Sequence, residues 1–328
     1  MKRELISLLS CPECCSSVRL EDAYPWSGEV ERGTLVCLND GRTFPIARFV
    51  PRFASSENYS SSFGFQWQEF RLTQLDSHTG LPISRTRFFE QSAWDPARLK
   101  DALVLDAGCG AGRFAQVALE AGARVVAFDY SDAVDACWSN LGRHPRLHVV
   151  QADIYNLPFA SGSFDFVYSF GVLQHTPDVA GAFKALVPQL KPGGRLAVDV
   201  YPATPLNLLW PKYWLRPFTK RVPRERLYGI VRRMVPVLLP VSLALGRVPL
   251  AGRHLRHLVP VVNYEGILPL STQQIREWAV LDTFDMLAPA HDHPLSVATL
   301  RRWFDEAGLV DVDVARRGLI VGRGRRLR

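Results

Sequence analysis

An aspartate followed by three alternating glycines is the part of this sequence most suited to chemistry. Asp106 precedes Gly108, Gly110 and Gly112, which occupy every second position. Glycine lets the backbone approach a ligand closely and adopt φ values that a side chain forbids. A carboxylate beside such a turn would repel a pyrophosphate, but it suits a ligand with a cationic amine. The cluster therefore predicts a site for a nucleotide that carries positive charge.

The residues around this cluster indicate the elements that position it. Residues 103–105 are uniformly apolar and run straight into the turn, which predicts a short buried strand. Helical spacing resumes over residues 113–121. A strand, a glycine turn and a helix together make a nucleotide-binding corner. The spacing is G-x-G-x-G, whereas dinucleotide-binding folds have G-x-G-x-x-G.

Further polar residues follow the next predicted strands. Residues 124–128 end in Asp129, 23 residues after Asp106, and an acid there can accept both ribose hydroxyls. A third strand, residues 147–150, leads to Asp153 and Ile154. A fourth strand begins near residue 164 and leads to His175. The carboxyl ends of these strands are where an open α/β sheet binds its ligand.

The series resembles the class I S-adenosylmethionine-dependent methyltransferases of the type 11 subgroup. Their motif I reads strand-Asp-x-Gly-x-Gly-x-Gly, and residues 164–175 (FDFVYSFGVLQH) match their motif IV, commonly FDxVxSxxVLxH. The resemblance implies an α/β fold with a Rossmann-like seven-stranded sheet, and S-adenosyl-L-methionine as cofactor. The implied cofactor-binding residues are Asp106, Gly108, Cys109, Gly110, Gly112, Asp129, Tyr130, Asp153, Ile154 and Ser169.

The resemblance also implies roles within that set. Asp106 and the glycine turn would hold the methionine part of the cofactor, and Asp129 the ribose. Asp153 would contact the adenine amino group while Ile154 packs on the ring. Methyl transfer to a hydroxyl needs a base, and His175 is the candidate because it follows the fourth strand. The alternative is that His175 only forms a wall of the pocket.

Four residues near the N-terminus have the spacing of metal ligands. Cys11 and Cys14 form a Cys-x-x-Cys pair, and Asp40 follows three residues after Cys37. Thiolates and carboxylates are zinc ligands. Residues 1–53 resemble the small zinc-ribbon modules that activate methyltransferases or are fused to their N-termini, although Asp40 stands where those modules have a fourth cysteine. The alternatives are a zinc-bound ribbon and a metal-free ribbon that packs on the catalytic domain.

Residues 202–280 are expected to interrupt the sheet between its fifth and sixth strands. Within them, residues 202–260 carry eleven Lys and Arg against one acid, a net charge of +10 in a chain of +7. Recurrent prolines predict short or kinked helices. The apolar run 234–245 is too short to span a bilayer. We expect a lid that meets phosphates or an anionic membrane surface, or a helical cap with a solvated basic face.

The remaining segments complete the predicted organisation. Residues 54–100, rich in aromatics, would form an N-terminal helical cap, and residues 101–201 the cofactor-binding core. Residues 281–328 would supply strands six and seven, the seventh antiparallel, and end in a frayed tail containing Arg323, Arg325, Arg326 and Arg328. His291 and His293 are secondary catalytic candidates. The six cysteines and the absence of a signal-peptide pattern predict cytoplasmic residence, with membrane association as an addition.

Three functions remain open at this stage. The first is methylation of a small-molecule, glycan or lipid-linked acceptor, at oxygen. The second is methylation of ribosomal or transfer RNA, whose phosphates the basic segment would track. No N-P-P-[YFW] motif follows the fourth strand, however, and this argues against RNA and against amino groups as acceptors. The third is a non-catalytic cofactor-binding adaptor.

Overall fold

The N-terminal residues form a small antiparallel sheet. The computed structural model describes residues 1–55, 57–204 and 210–327, and of Arg253 the backbone alone. After a 3-10 helix, Arg3–Leu8, four strands pair in chain order. They are β1 (Val18–Tyr24), β2 (Arg32–Cys37), β3 (Thr43–Ala47) and β4 (Val50–Pro51). This sheet is the predicted ribbon module.

The ribbon module is attached to the rest of the chain by backbone and side-chain contacts. The amide of Phe53 donates to the carbonyl of Gln151 over 2.8 Å, and that of Ser10 donates to the carbonyl of Pro158 over 3.0 Å. Arg52 forms an ion pair with Asp135, with 2.5 Å between Nη2 and Oδ1. Both of those side chains are largely buried, so this pair is shielded from solvent.

Helices cover the next segment, where the sequence predicted a helical cap. They are α1 (Ser61–Glu69), α2 (Asp76–Thr79) and α3 (Ile83–Ser92), followed by a 3-10 helix, Pro96–Leu99. The aromatic residues of this segment divide between two roles. Phe88 and Trp94 pack in the core under the large sheet. Phe63 and Trp67, on α1, line a cavity.

A seven-stranded sheet with helices forms the centre of the molecule, as predicted. Its spatial order is β10-β11-β9-β8-β5-β6-β7, and only β11 runs antiparallel to its neighbours. The strands are β5 (Leu103–Ala107), β6 (Arg124–Asp129), β7 (Leu147–Gln151), β8 (Phe164–Ser169), β9 (Leu190–Val200), β10 (Leu309–Arg317) and β11 (Leu319–Arg326). The helices between these strands are α4 (Arg113–Glu120), α5 (Ala133–Leu141) and α6 (Val179–Leu186), with 3-10 turns at Leu173–His175 and Val187–Gln189. Every residue of β5 is buried, because helices cover both faces of the sheet.

The segment between β9 and β10 is helical. Its helices are α7 (Pro211–Thr219), α8 (Arg224–Gly246), α9 (Gly252–Leu255), a 3-10 turn (Arg256–Leu258), α10 (Thr272–Leu287) and α11 (Val297–Glu306). Residues 202–280 are the predicted insertion, and of these, residues 205–209 lie outside the described residues. Ser271 and Gln274 form a capping box at the start of α10, and α10 continues across position 280.

Helix α8 is longer than the short helices that the recurrent prolines predicted, while the alternative of a kinked helix stays a prediction. It runs for 23 residues and contains both Pro236 and Pro240. Leu227, Val231 and Val235 recur every four residues on its buried face and pack in one cluster with Phe284 of α10. Burial of this stripe outweighs the backbone hydrogen bonds that the prolines remove. By length and composition alone, α8 is also long and apolar enough to cross a membrane, with 22% of its most apolar window buried.

The C-terminal arginines correct a second expectation. Arg323, Arg325 and Arg326 belong to β11 and are therefore ordered within the sheet, whereas Arg328 lies outside the described residues. The Nε of Arg325 lies 2.7 Å from Oδ2 of Asp311 on the neighbouring strand. Arg326 donates to the carbonyl of Leu190. Strand pairing and these contacts hold the segment that sequence analysis treated as a frayed tail.

Candidate active site

A large cavity opens at the carboxyl ends of the central strands. Its volume is about 1940 Å³. The sheet contributes the glycine turn after β5, Asp129 at the end of β6 with Tyr130 after it, and Ile154 after β7. Helix α1 and the insertion contribute the remaining walls. This is the position at which open α/β sheets bind ligands, and the cavity is large enough for a cofactor together with an acceptor.

The glycine turn is shaped by close neighbours as well as by backbone freedom. Gly108 and Gly110 have φ values of 87° and 51°. A Cβ on Gly108 would lie 2.5 Å from a methyl of Val172, and one on Gly110 would lie 2.9 Å from the indole nitrogen of Trp67. These glycines therefore keep open a narrow space between the turn, α1 and the segment after β8. Cys109, between them, also lines the cavity.

Asp129 lies at the end of β6, beside the turn. Its Oδ2 accepts from the amide of Gly110 over 3.0 Å, and its Oδ1 accepts from the amide and hydroxyl of Ser131. Burial raises the pKa of Asp129, while these hydrogen bonds oppose the shift. The carboxylate is thus fixed in orientation at the cavity wall, and it retains lone pairs for hydroxyl donors of a ligand.

Asp106 lies behind that wall. It is 2% exposed, and its Oδ2 has no hydrogen-bond partner in the described part of the chain. Burial raises the pKa of its carboxyl group to about 7. A buried oxygen without a partner at a glycine turn fits a site that a donor on a ligand completes. Asp106 is therefore a buried acid beside the turn with one acceptor atom that the described residues leave unused.

Three other predicted cofactor residues, Gly112, Ser169 and Asp153, are not among the residues that line the cavity. Gly112 begins α4, and a Cβ there would lie 2.7 Å from Leu141, so it serves helix packing. Ser169 is fully buried, and its hydroxyl donates to the carbonyl of Ala107, linking β8 to β5. Asp153 accepts from the amide of Tyr155 over 3.0 Å.

His175 lies in the cavity wall and is oriented by the chain after α10. Its Nδ1 is 3.0 Å from the carbonyl oxygen of His291. A carbonyl only accepts, so Nδ1 carries the proton and Nε2 of the neutral ring has a free lone pair. Asp285 lines the same cavity and interacts with this ring. Burial raises the pKa of Asp285, and His175 opposes the shift. This tautomer suits a proton acceptor.

Several charged residues of the cavity were missed by sequence analysis. Arg87 of α3 pairs with the fully buried Asp199 at 2.8 Å. Asp292 stands between His291 and His293 in the sequence. Its Oδ2 lies 3.3 Å from Nζ of Lys212 and 4.0 Å from Nε of Arg216. The imidazoles of the His-Asp-His sequence stack on each other, and it is the aspartate that lines the cavity. Sequence signals for these pairs are weak because their partners are 76 or more residues apart.

The four predicted metal ligands come together in the ribbon module. One donor atom from each of Cys11, Cys14, Cys37 and Asp40 lies within 4.8 Å of the others, and the sulfurs of Cys14 and Cys37 are 3.4 Å apart. Hydrogen bonds from Ser16 lower the pKa of the Cys14 thiol to about 7. Donors this close match the spacing around a tetrahedral zinc ion.

Comparison with known protein families agrees with both the sheet that forms the cavity and the ribbon module. Residues 105–198 match the family model described as methyltransferase domain, and residues 2–48 match the one described as Trm112p-like protein. The chain therefore contains a methyltransferase domain behind a Trm112p-like module, and the predicted resemblance is confirmed.

Individual relatives are similar over parts of this chain. The malonyl-[acyl-carrier protein] O-methyltransferase of Enterobacter lignolyticus is 38% identical over 34% of this chain and 43% of its own length. The demethylmenaquinone methyltransferase of Beutenbergia cavernae is 36% identical over 36% of this chain and 51% of its own length. The chain thus spans about half or less of these relatives. Human N-acetylserotonin methyltransferase, solved with its cofactor, covers 84% of this chain at 14% identity, with 61% of its own chain covered and a TM-score of 0.47.

Proposed function

We propose that this protein transfers a methyl group from S-adenosyl-L-methionine to a hydroxyl of a small-molecule, glycan or lipid-linked acceptor. The observation that carries the proposal is the joint position of the glycine turn and Asp129 at the end of adjacent parallel strands, facing one large cavity. The methyltransferase domain matched by residues 105–198 includes both features.

The residues present fit this cofactor. Asp129 would accept from the ribose hydroxyls, Ile154 would pack on the adenine, and the unpartnered oxygen of Asp106 would balance the cationic amine near the turn. Asp153 remains the predicted partner of the adenine amino group. When bound, the cofactor supplies an electrophilic methyl group on a sulfonium. The chain itself has to orient an acceptor, exclude water and remove a proton.

His175 is the proposed proton acceptor. Nε2 of its neutral ring is available because Nδ1 is held by the His291 carbonyl. Once protonated, the imidazolium would be stabilised by the carboxylate of Asp285, which lines the same cavity. The group thus has a fixed tautomer and a counter-charge, which a general base near neutral pH requires.

Cofactor binding is tested by calorimetric titration with S-adenosylmethionine and S-adenosylhomocysteine. We expect binding by the wild type and a loss of about tenfold or more in Asp129→Asn, because two charge-assisted hydrogen bonds to ribose are weakened. Asp101→Asn is the matched control, since Asp101 is an exposed acid at the opposite end of β5. Absence of binding by the wild type would contradict the proposal.

The base is tested by incubating the protein with a cell extract and S-adenosylmethionine that carries a tritiated methyl group. The extract is then separated into a lipid fraction, a fraction of glycans and small molecules, and an RNA fraction. We expect label in the lipid fraction or in the glycan and small-molecule fraction. His175→Asn should lower the rate by about a hundredfold, because the acceptor hydroxyl loses its proton acceptor. His78→Asn, an exposed histidine outside the cavity, should match the wild type. Unchanged turnover by His175→Asn would exclude it as base.

RNA is the second candidate acceptor. The strongly basic insertion and the Trm112p-like module favour it. Label that appears in the RNA fraction and is released by ribonuclease would support this function over the first. Cofactor binding without label in any fraction would instead favour the non-catalytic adaptor.

A further inference from the structure

Exposed apolar side chains are concentrated in the insertion. Of thirteen large apolar side chains that are exposed in residues 1–55, 57–204 and 210–327, nine lie between positions 210 and 268. They are Trp214, Phe218, Ile230, Val237, Val241, Val248, Leu250, Leu258 and Ile267. Soluble surfaces normally scatter such residues singly, so this concentration marks an interaction surface.

Helix α8 shows how this surface is built. Its buried stripe faces α10, while Ile230, Val237 and Val241 recur on the exposed side with 48%, 68% and 48% of their surface accessible. From Met234 to Gly246 the helix contains no charged residue. Its C-terminal half is therefore apolar on both faces, although the described part of the chain covers only one of them. Leu250, in the turn after α8, is fully exposed.

Basic residues lie along the same segment. Lys220, Arg221, Arg226, Arg232 and Arg233 are exposed, and none of them forms an ion pair with a carboxylate of the described residues. Glu225 and Glu265 pair instead with Arg224 and Arg247. An apolar surface beside unneutralised cations matches the acyl chains and anionic headgroups of a lipid surface.

The surface is continuous with the mouth of the cavity. Leu258 and Ile267 line the cavity and are at the same time 57% and 53% exposed. Lys212 and Trp210, at the start of α7, line it from the insertion as well. A molecule held on this surface by its apolar part would thus have its polar part at the cavity opening.

We propose that the insertion docks on an anionic membrane surface and presents the mouth of the cavity to it. A second copy of the chain fits less well, because it would bring the same basic segment against this one. RNA also fits less well, since seven of the nine exposed apolar side chains are aliphatic and only Trp214 and Phe218 offer a ring on which a base can stack. If the proposed methyl transfer holds, the acceptor belongs to the lipid-linked class; the docking itself does not depend on that activity.

Vesicle co-sedimentation of the full chain at low salt tests the docking. The probes are phosphatidylcholine vesicles with and without about one third phosphatidylglycerol, in the absence of cofactor and acceptor. We expect the wild type to sediment with the anionic vesicles. Arg226→Gln/Arg233→Gln should weaken binding on the order of twentyfold, and Trp214→Ser/Phe218→Ser roughly tenfold.

Matched controls separate docking from general effects of charge and hydrophobicity. Arg98→Gln/Arg301→Gln removes two exposed arginines, and Trp26→Ser an exposed aromatic, outside the insertion. Both should bind as the wild type does. Equal binding by all variants, or no sedimentation of the wild type, would overturn the proposal.

Three further outcomes would also overturn it. They are concentration-dependent dimerisation that the aromatic variant abolishes, RNA binding that outcompetes vesicles, and retention on the membrane after alkaline extraction. The last would mean that α8 leaves α10 and inserts. Because calorimetry with S-adenosylmethionine uses no lipid, failure of docking and failure of the proposed activity can be told apart.

Discussion

Asp106 is a carboxyl group buried beside the glycine turn, with one oxygen lacking a partner among the described residues. Burial raises its pKa from 3.8 to about 7. In the unfolded chain the group ionises near its ordinary value, so between about pH 4 and pH 7 the folded state binds a proton that the unfolded state has released. This group therefore lowers stability progressively as the pH rises through that interval.

Asp106→Asn tests this linkage because the amide is neutral at every pH. We expect the variant to be more stable than the wild type at pH 8, on the order of 2 kcal/mol, and nearly equal to it at pH 4.5. Denaturant unfolding at the two pH values measures the difference, with the exposed Asp101→Asn as control. An equal increase in the free energy of unfolding at both pH values would contradict the proposal that burial of the ionised Asp106 lowers stability. The variant should also lose affinity for S-adenosylmethionine, a trade of stability for binding that is common in functional sites.

At the scale of elements, the cavity depends on how α1 meets the glycine turn. The indole of Trp67 is so close to Gly110 that a Cβ there would contact it at 2.9 Å. Gln68 of the same helix donates to the carbonyl of Asp132 after β6. Helix α1 is thus fixed across the ends of two adjacent strands. It lines the cavity beside the glycine turn, and the insertion lines it as well.

The ribbon module is a second element whose stability can be tested separately. We propose that Cys11, Cys14, Cys37 and Asp40 bind one zinc ion. Cys14→Ser should lose the ion and about 2 kcal/mol or more of stability, because binding energy at a structural site is folding energy. Cys15→Ser is the matched control, since Cys15 is an exposed neighbour outside the cluster. Elemental analysis and thermal unfolding with and without a chelator measure both effects. Equal zinc contents in the two variants, or none in the wild type, would refute the site.

At the scale of the whole molecule, charge and apolar surface are segregated. Residues 202–260 carry a net +10, so the rest of the chain is net acidic. Nine of thirteen exposed large apolar side chains of the described residues lie between positions 210 and 268. The ribbon module and the sheet are attached by largely buried contacts such as the pair between Arg52 and Asp135. The insertion is therefore the part of the molecule that presents a surface suited to a partner.

Local patterns in the sequence were sufficient for four parallel strands of the sheet, the glycine turn and the cysteine cluster, whereas the seven-stranded sheet came from the family resemblance. Uniformly apolar strands, alternating glycines and Cys-x-x-Cys spacing each involve only a few neighbouring residues. They can therefore be interpreted without knowledge of the fold. The position of Asp129 followed in the same way, because it directly ends a strand. The antiparallel final strand came from the family resemblance rather than from the residues.

Only the tertiary structure decided which side chains reach the cavity and which lie behind it. Ser169 and Asp106 follow the predicted strands, yet the packing of neighbouring strands and helices buries both of them. Asp292 faces the cavity because Lys212, 80 residues earlier, provides its counter-charge. Helix α8 continues through two prolines because α10 covers its apolar stripe. In each case the free energy comes from contacts between residues distant in sequence, and no local pattern contains that information.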